Sequence, residues 1–128
     1  MYFNSIDEKK QVSLDGLEGV DGIKIQWLLP PEAGTPNFEM RYFEIKKGGV
    51  CRKERHPWEH EAFVVKGKGT VIGENGERMV KEGDAIYVAP NELHQFKSAP
   101  DEDFCFICCV LNGAEDEILN EFKPKDFL

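Results

Sequence analysis

Short β-rich runs, some with apolar and polar positions alternating at a period of two, follow one another along this chain, and glycine, proline and asparagine cut them at short intervals. Successive strand residues point to opposite faces of a sheet, so this pattern predicts β-structure. Between Asn37 and Lys46, for example, Phe38, Met40, Tyr42 and Glu44 fall on one side, and Glu39, Arg41, Phe43 and Ile45 on the other. Ile23 to Leu29 is an earlier strand, ended by Pro30-Pro31, and the Asn37 to Lys46 strand is ended by Gly48-Gly49. Val50 to His56 follows and stops at Pro57, which cannot donate to a ladder. Ala62 to Lys66 leads into a Gly67-Lys68-Gly69 turn, and Thr70 to Gly73 into Glu74-Asn75-Gly76-Glu77, where Asn-Gly signals a hairpin. Arg78 to Lys81, Ala85 to Ala89, His94 to Lys97 and Asp103 to Leu111 complete the set. Short strands with turns at fairly even spacing predict a β-sandwich or barrel. Only Asp116 to Phe122 reads as helix, with Ile118, Leu119 and Phe122 as its apolar stripe.

A chain of 128 residues suits one domain with one core, and neither a linker nor a repeat divides it, so residues 1–128 are expected to form a single unit. The formal net charge of −8 argues against nucleic acid and anionic membrane as partners, since both select a basic surface. No apolar run is long enough to span a bilayer, and Met1 to Glu8 lacks the basic start and apolar core of a secretory signal. The expected location is the cytoplasm. Of the four cysteines, Cys105, Cys108 and Cys109 lie in the apolar run from Phe104 to Leu111, and Cys51 stands apart. In a reducing compartment they are expected to be free thiols that pack as small hydrophobes. Cys105 and Cys108 match C-x-x-C, so a redox or zinc role is the alternative, but no second such pair accompanies them.

The three histidines of the chain all fall in two short segments, Glu54 to Glu61 and Pro90 to His94. Neutral imidazole is the commonest protein ligand for metals, and three with a carboxylate can close most of a transition-metal site. Glu54 and His56 share strand parity. Pro57-Trp58 permits a bend, so His60 can return toward the same point from the next strand, and His94 enters from a further one. Glu61 is a competing carboxylate, but its parity is opposite to that of His60, Ala62 and Val64, so it is expected to face outward. Glu54 is either a ligand or an exposed acid among Arg52, Lys53 and Arg55.

Gly49 through Gly67 resembles the first motif of the cupin superfamily, and Gly83 through Ser98, with its Gly-Asp, apolar run, proline and His94, resembles the second. The run His56-Pro57-Trp58-Glu59-His60-Glu61 is most similar to small bacterial cupins that bind manganese through four histidines. The resemblance covers roughly residues 20 to 112 and implies an all-β double-stranded β-helix, the cupin or jelly-roll barrel, followed here by the short C-terminal helix. Carried over by position, the family's ligands fall on Glu54, His56, His60 and His94. Two of these depart from the usual pattern. Glu54 replaces a histidine, and His60 replaces a glutamate, so the set of three nitrogens and one oxygen is restored with the carboxylate at another corner. Ser98 stands where the family often has asparagine.

The expected cofactor is therefore one divalent transition metal: Mn, Fe, Ni, Co or Zn. Four protein ligands leave room at an octahedral metal for water, dioxygen or a substrate. Arg41, Tyr42 and Arg52 are candidate pocket residues, with Arg52 either meeting an anionic substrate or forming a salt bridge at the rim. The resemblance implies a metal-dependent enzyme of the dioxygenase, isomerase or lyase type acting on a small organic molecule. A non-catalytic metal or metabolite binder is the alternative, and a metal-free structural protein a third reading. It also implies a homodimer, paired through its sheets.

Overall fold

The structure, a computed structural model, describes residues 1–114, so the helix expected over Asp116 to Phe122 lies outside the described residues. Eight strands account for most of them: β1 (Val12–Ser13), β2 (Asp21–Leu29), β3 (Phe38–Val50), β4 (His60–Gly73), β5 (Gly76–Lys81), β6 (Ala85–Val88), β7 (Gln95–Ser98) and β8 (Phe104–Leu111). Two single 3-10 turns, Glu8–Lys10 and Pro31–Ala33, are the only helical elements among the described residues. Every pairing is antiparallel, and the pairings form a ring: β3 bonds β8, β8 bonds β4, β4 bonds β7, and β7 returns to β3 through Val50 and Lys97. That ring closes the barrel. Closure pairs the ring strands on both sides, while among the described residues β1, β5 and β6 each bond a single neighbour.

Alternation decides what fills the barrel. Arg41, Phe43 and Ile45 of β3, His60, Ala62 and Val64 of β4, and Phe104, Phe106, Cys108 and Val110 of β8 share the inward parity. Ile23, Ile25 and Trp27 of β2 are buried as well. Phe96, Phe104 and Phe106 form an aromatic cluster with ring centroids 5.0–6.3 Å apart. Full burial of one such ring contributes on the order of 2–3 kcal/mol. The cluster is the floor beneath the histidines, since Phe96 lies next but one to His94 on the same face, at 6.4 Å between ring centroids.

The sequence-based strand boundaries differ most from the structure in two places, and the short β1 was not expected. β4 does not stop at Lys66: it runs unbroken through Gly67 and Gly69 to Gly73, with a register shift between Val64 and Lys66. The two glycines are needed for close approach rather than for a turn. A Cβ on Gly67 would lie 1.8 Å from the Asp103 carbonyl oxygen, at a φ of +78°, and one on Gly69 would lie 2.3 Å from the Phe104 ring. Conversely, β3 continues through Gly48-Gly49 to Val50, and the strand expected over Val50 to His56 is a loop tied to β7 and its approach by isolated bonds. Cys51 N–H donates to Phe96 O at 2.8 Å, and Glu54 and His94 exchange two backbone bonds at 3.0 Å. The Asn-Gly hairpin forms as expected, with Gly73 opposite Gly76 between β4 and β5.

Candidate metal centre

Glu54, His56, His60 and His94 come together, each offering one ligand atom, with all four atoms within 4.8 Å of one another. The backbone brings them there by three routes. The Glu54–His94 exchange places those two side chains beside each other. Asn91, at φ 65° in the Pro90-Asn91-Glu92 turn, donates its N–H to His56 O at 2.7 Å, which fixes the loop carrying His56 against the loop carrying His94. Asparagine tolerates that left-handed conformation better than most residues. His60 opens β4 and projects into the barrel with the parity of Val64.

The three imidazoles are 6–7 % exposed. His56 Nδ1 lies 2.8 Å from Trp58 O, and His94 Nδ1 lies 2.8 Å from Glu92 O. A carbonyl oxygen only accepts, so each Nδ1 carries the proton, and in the neutral ring each Nε2 is a lone pair. His60 Nδ1 faces Cys108 Sγ at 3.3 Å, which leaves its Nε2 directed to the centre, 2.9 Å from His56 Nε2. His94 Nε2 is buried without a hydrogen-bond partner. A buried lone pair with no donor is costly. A cation among the three Nε2 atoms would satisfy that of His94 and be shared by those of His56 and His60, so the residues present fit a divalent metal. Trp58 stacks on His56 with centroids 4.3 Å apart and planes 9° from parallel, holding the ring's orientation.

Glu54 is oriented from the other side. Arg52 Nε and Nη2 both donate to Glu54 Oε2, at 3.3 and 3.1 Å. The other oxygen, Oε1, lies 3.9 Å from Nε2 of both His56 and His94. One carboxylate oxygen is thus held by a guanidinium and the other faces the imidazoles. Glu61 is exposed and stands away from the cluster, beside Tyr87 and Cys109.

A cavity of about 90 Å³ opens onto the cluster, and its lining includes Arg41, Arg52, Glu54, His60, His94 and Cys108. Arg41 is fully buried, donates to Cys108 Sγ at 3.5 Å and lies over the Phe43 ring at 5.0 Å. Tyr42, expected in the pocket, is not among its lining residues. It has the opposite parity to Arg41 and packs beside Cys105 on the other side of β3; burial, and then the hydrogen bond with Cys105, push its phenol well above the usual range. Burial likewise raises the thiols of Cys105 and Cys109. Ser98 is structural: its Oγ donates to Lys46 O at 2.6 Å and accepts from Gly49 N–H at 2.9 Å.

Two parts of the site escaped the sequence reading. Leu14, Leu17 and Val20, from the segment between β1 and β2, form the cavity's apolar wall, though the barrel was expected to begin near residue 20. Cys108, read as core, is indeed buried but also touches His60. The C-x-x-C alternative fails on parity: Cys105 and Cys108, three apart on β8, face opposite sides, and none of the four cysteines is in a disulfide.

Comparison with known proteins agrees with this architecture. A curated relative, the 1-methylthio-D-xylulose 5-phosphate methylsulfurylase of Rhodospirillum rubrum, is 33 % identical over 79 residues, covering 62 % of this chain and 50 % of the relative. The chain thus spans about half the length of the curated relative it matches. Among solved structures, a cupin 2 domain-containing protein from Halorhodospira halophila is 34 % identical with a TM-score of 0.66, over 73 % of this chain and 69 % of that one. The polyketide cyclase RemF from Streptomyces resistomycificus, at 21 % identity, shares the fold with a TM-score of 0.74 over 86 % of this chain and 80 % of its own. The cupin domain family matches residues 41–110, more than half of the chain and both histidine segments, and this protein belongs to it.

Proposed function

We propose that Glu54, His56, His60 and His94 hold one divalent transition metal and that the protein is a metal-dependent enzyme acting on a small organic molecule in the adjoining cavity. The observation that carries this reading is the convergence of three buried imidazole nitrogens and one carboxylate oxygen within 4.8 Å beside the cavity. Mixed nitrogen and oxygen donors suit Mn, Fe, Co, Ni or Zn. When bound, such an ion supplies Lewis-acid polarisation of an oxygen on the substrate. The chain's own residues do the rest. Trp58 O and Glu92 O fix two imidazole tautomers, Arg52 fixes one oxygen of Glu54, and Leu14, Leu17 and Val20 give the bound molecule an apolar wall. An enzyme name on the curated relative supports a catalytic reading. Metal analysis of the purified protein, followed by a screen for turnover with the metal restored, tests it; a protein that takes up no divalent metal contradicts it.

One observation favours a non-catalytic binder instead. Among the described residues Glu54 is the only carboxylate lining the cavity, so a ligated Glu54 leaves no second carboxylate to move protons there. Ligand binding at the loaded site without turnover on any screened substrate class supports that reading.

Pairing of two copies belongs to the same proposal. Phe63, Tyr87 and Leu111 are exposed on one outer face of β4, β6 and β8, an apolar surface of the kind that subunits bury. A monomer mass across micromolar concentrations contradicts it.

A further inference from the structure

The cavity has two kinds of lining. Leu14, Leu17, Val20 and Ile23, with the Phe96 and Phe106 rings, are its apolar part. Two guanidinium groups, Arg41 and Arg52, line it as well beside the histidine cluster, and among the described residues the only carboxylate there is Glu54. A divalent ion held by neutral imidazoles and one carboxylate leaves a net positive centre, and Arg52 adds to it. Unbalanced charge in a low-dielectric cavity is unfavourable and draws a counter-charge. This occurs in a chain whose formal net charge is −8, so the positive lining is a local feature and not a general one. Arg52 has donors to spare. Its Nε and Nη2 are spent on one oxygen of Glu54, while among the described residues Nη1 has no protein partner. Its side chain is 34 % exposed, placed to reach a molecule in the cavity.

Resting on the metal reading above, we propose that the ligand is a small amphipathic organic anion. Its carboxylate head lies between Arg52 and the metal, and its apolar tail lies against Leu14, Leu17 and Val20. The space, about 90 Å³, suits a small ligand. A sugar-like polyol is disfavoured, because the wall offers its hydroxyls no partners and buried unpaired hydroxyls are costly.

Calorimetric titration of the zinc-loaded protein with acetate, hexanoate, hexanamide and inorganic phosphate tests this. Hexanoate is expected to bind at least about tenfold more tightly than acetate, through its tail, and at least about tenfold more tightly than neutral hexanamide, through its head. At saturating zinc, Arg52→Gln is expected to weaken hexanoate about tenfold, and Leu17→Asn to weaken hexanoate while leaving acetate unchanged. Equal binding of hexanoate and hexanamide overturns the anion, equal binding of hexanoate and acetate overturns the apolar wall, and phosphate binding more tightly than hexanoate overturns the carboxylate head. The failure of the metal reading is distinguishable: zinc then does not bind, and the preference for hexanoate over hexanamide is read on the metal-free protein through Arg52.

Discussion

Arg52 spends two donors on a single oxygen of Glu54, and the oxygen left over faces His56 and His94 at equal distances of 3.9 Å. A carboxylate held in this way presents one oxygen in a fixed direction, as partners beyond a metal's own ligands commonly do. Arg52→Gln is therefore expected to weaken metal binding about tenfold, by freeing Glu54 to rotate toward solvent. In the Arg52→Gln/Glu54→Gln double variant the two losses are not additive, because the guanidinium acts through the carboxylate. Competition titration with a chelator of known affinity measures both.

Exchange at position 54 separates a ligand from a bystander. Glu54→Gln is expected to weaken binding because an amide oxygen is a poorer donor than a carboxylate. Glu54→His is expected to retain or tighten nickel and zinc by making a four-imidazole set. Unchanged affinity in Glu54→Ala, alongside loss in His94→Ala, would show a three-histidine site.

The fold and the cluster were legible because their signals are local and redundant. Alternation marked Asn37 to Lys46, β-rich apolar runs marked Ile23 to Leu29 and Asp103 to Leu111, and three histidines confined to two segments marked the site. What was hidden depends on distant partners. Glycine marks both turns and close approaches, so Gly67 and Gly69 read as a turn until the Asp103 backbone and Phe104 ring were seen against them. Tyr42 and Arg41 are both buried, because this part of β3 is covered on both faces, and only the position of the cavity shows which of the two lines it. Leu14, Leu17 and Val20 sit in a short segment with no strand periodicity, so nothing in their spacing pointed to a wall.

Those glycines yield a stability prediction. Gly67→Ala meets a carbonyl oxygen at a backbone angle that L-residues avoid. Loss of more than about 2 kcal/mol is expected in urea unfolding. Gly34→Ala is the control: its φ of +92° is comparable, but no atom of the described residues lies within 4 Å of the added methyl, so the loss is smaller.

Stability is also expected to fall in alkaline solution. Tyr42, Cys105 and Cys109 have raised pKa values, from burial first. As pH rises the unfolded chain therefore gives up these protons before the native one does, so it binds fewer protons and stability decreases. The stabilisation is complete below about pH 8.5, is lost from there upward for the thiols, and from about pH 10 for the phenol. The slope is at most about 1.4 kcal/mol per pH unit for each buried group. Tyr42→Phe is expected to flatten the decline above about pH 10; thermal melts across the alkaline range check this.

The central claim is that three buried imidazoles and Glu54 form one metal site. Elemental analysis and zinc titration of the wild-type chain beside His94→Ala test it most directly. One divalent ion per chain, lost by at least about a hundredfold in affinity in His94→Ala with the fold intact by circular dichroism, is the expected result. Absence of stoichiometric metal in the wild type, or retention of full affinity in His94→Ala, would contradict it.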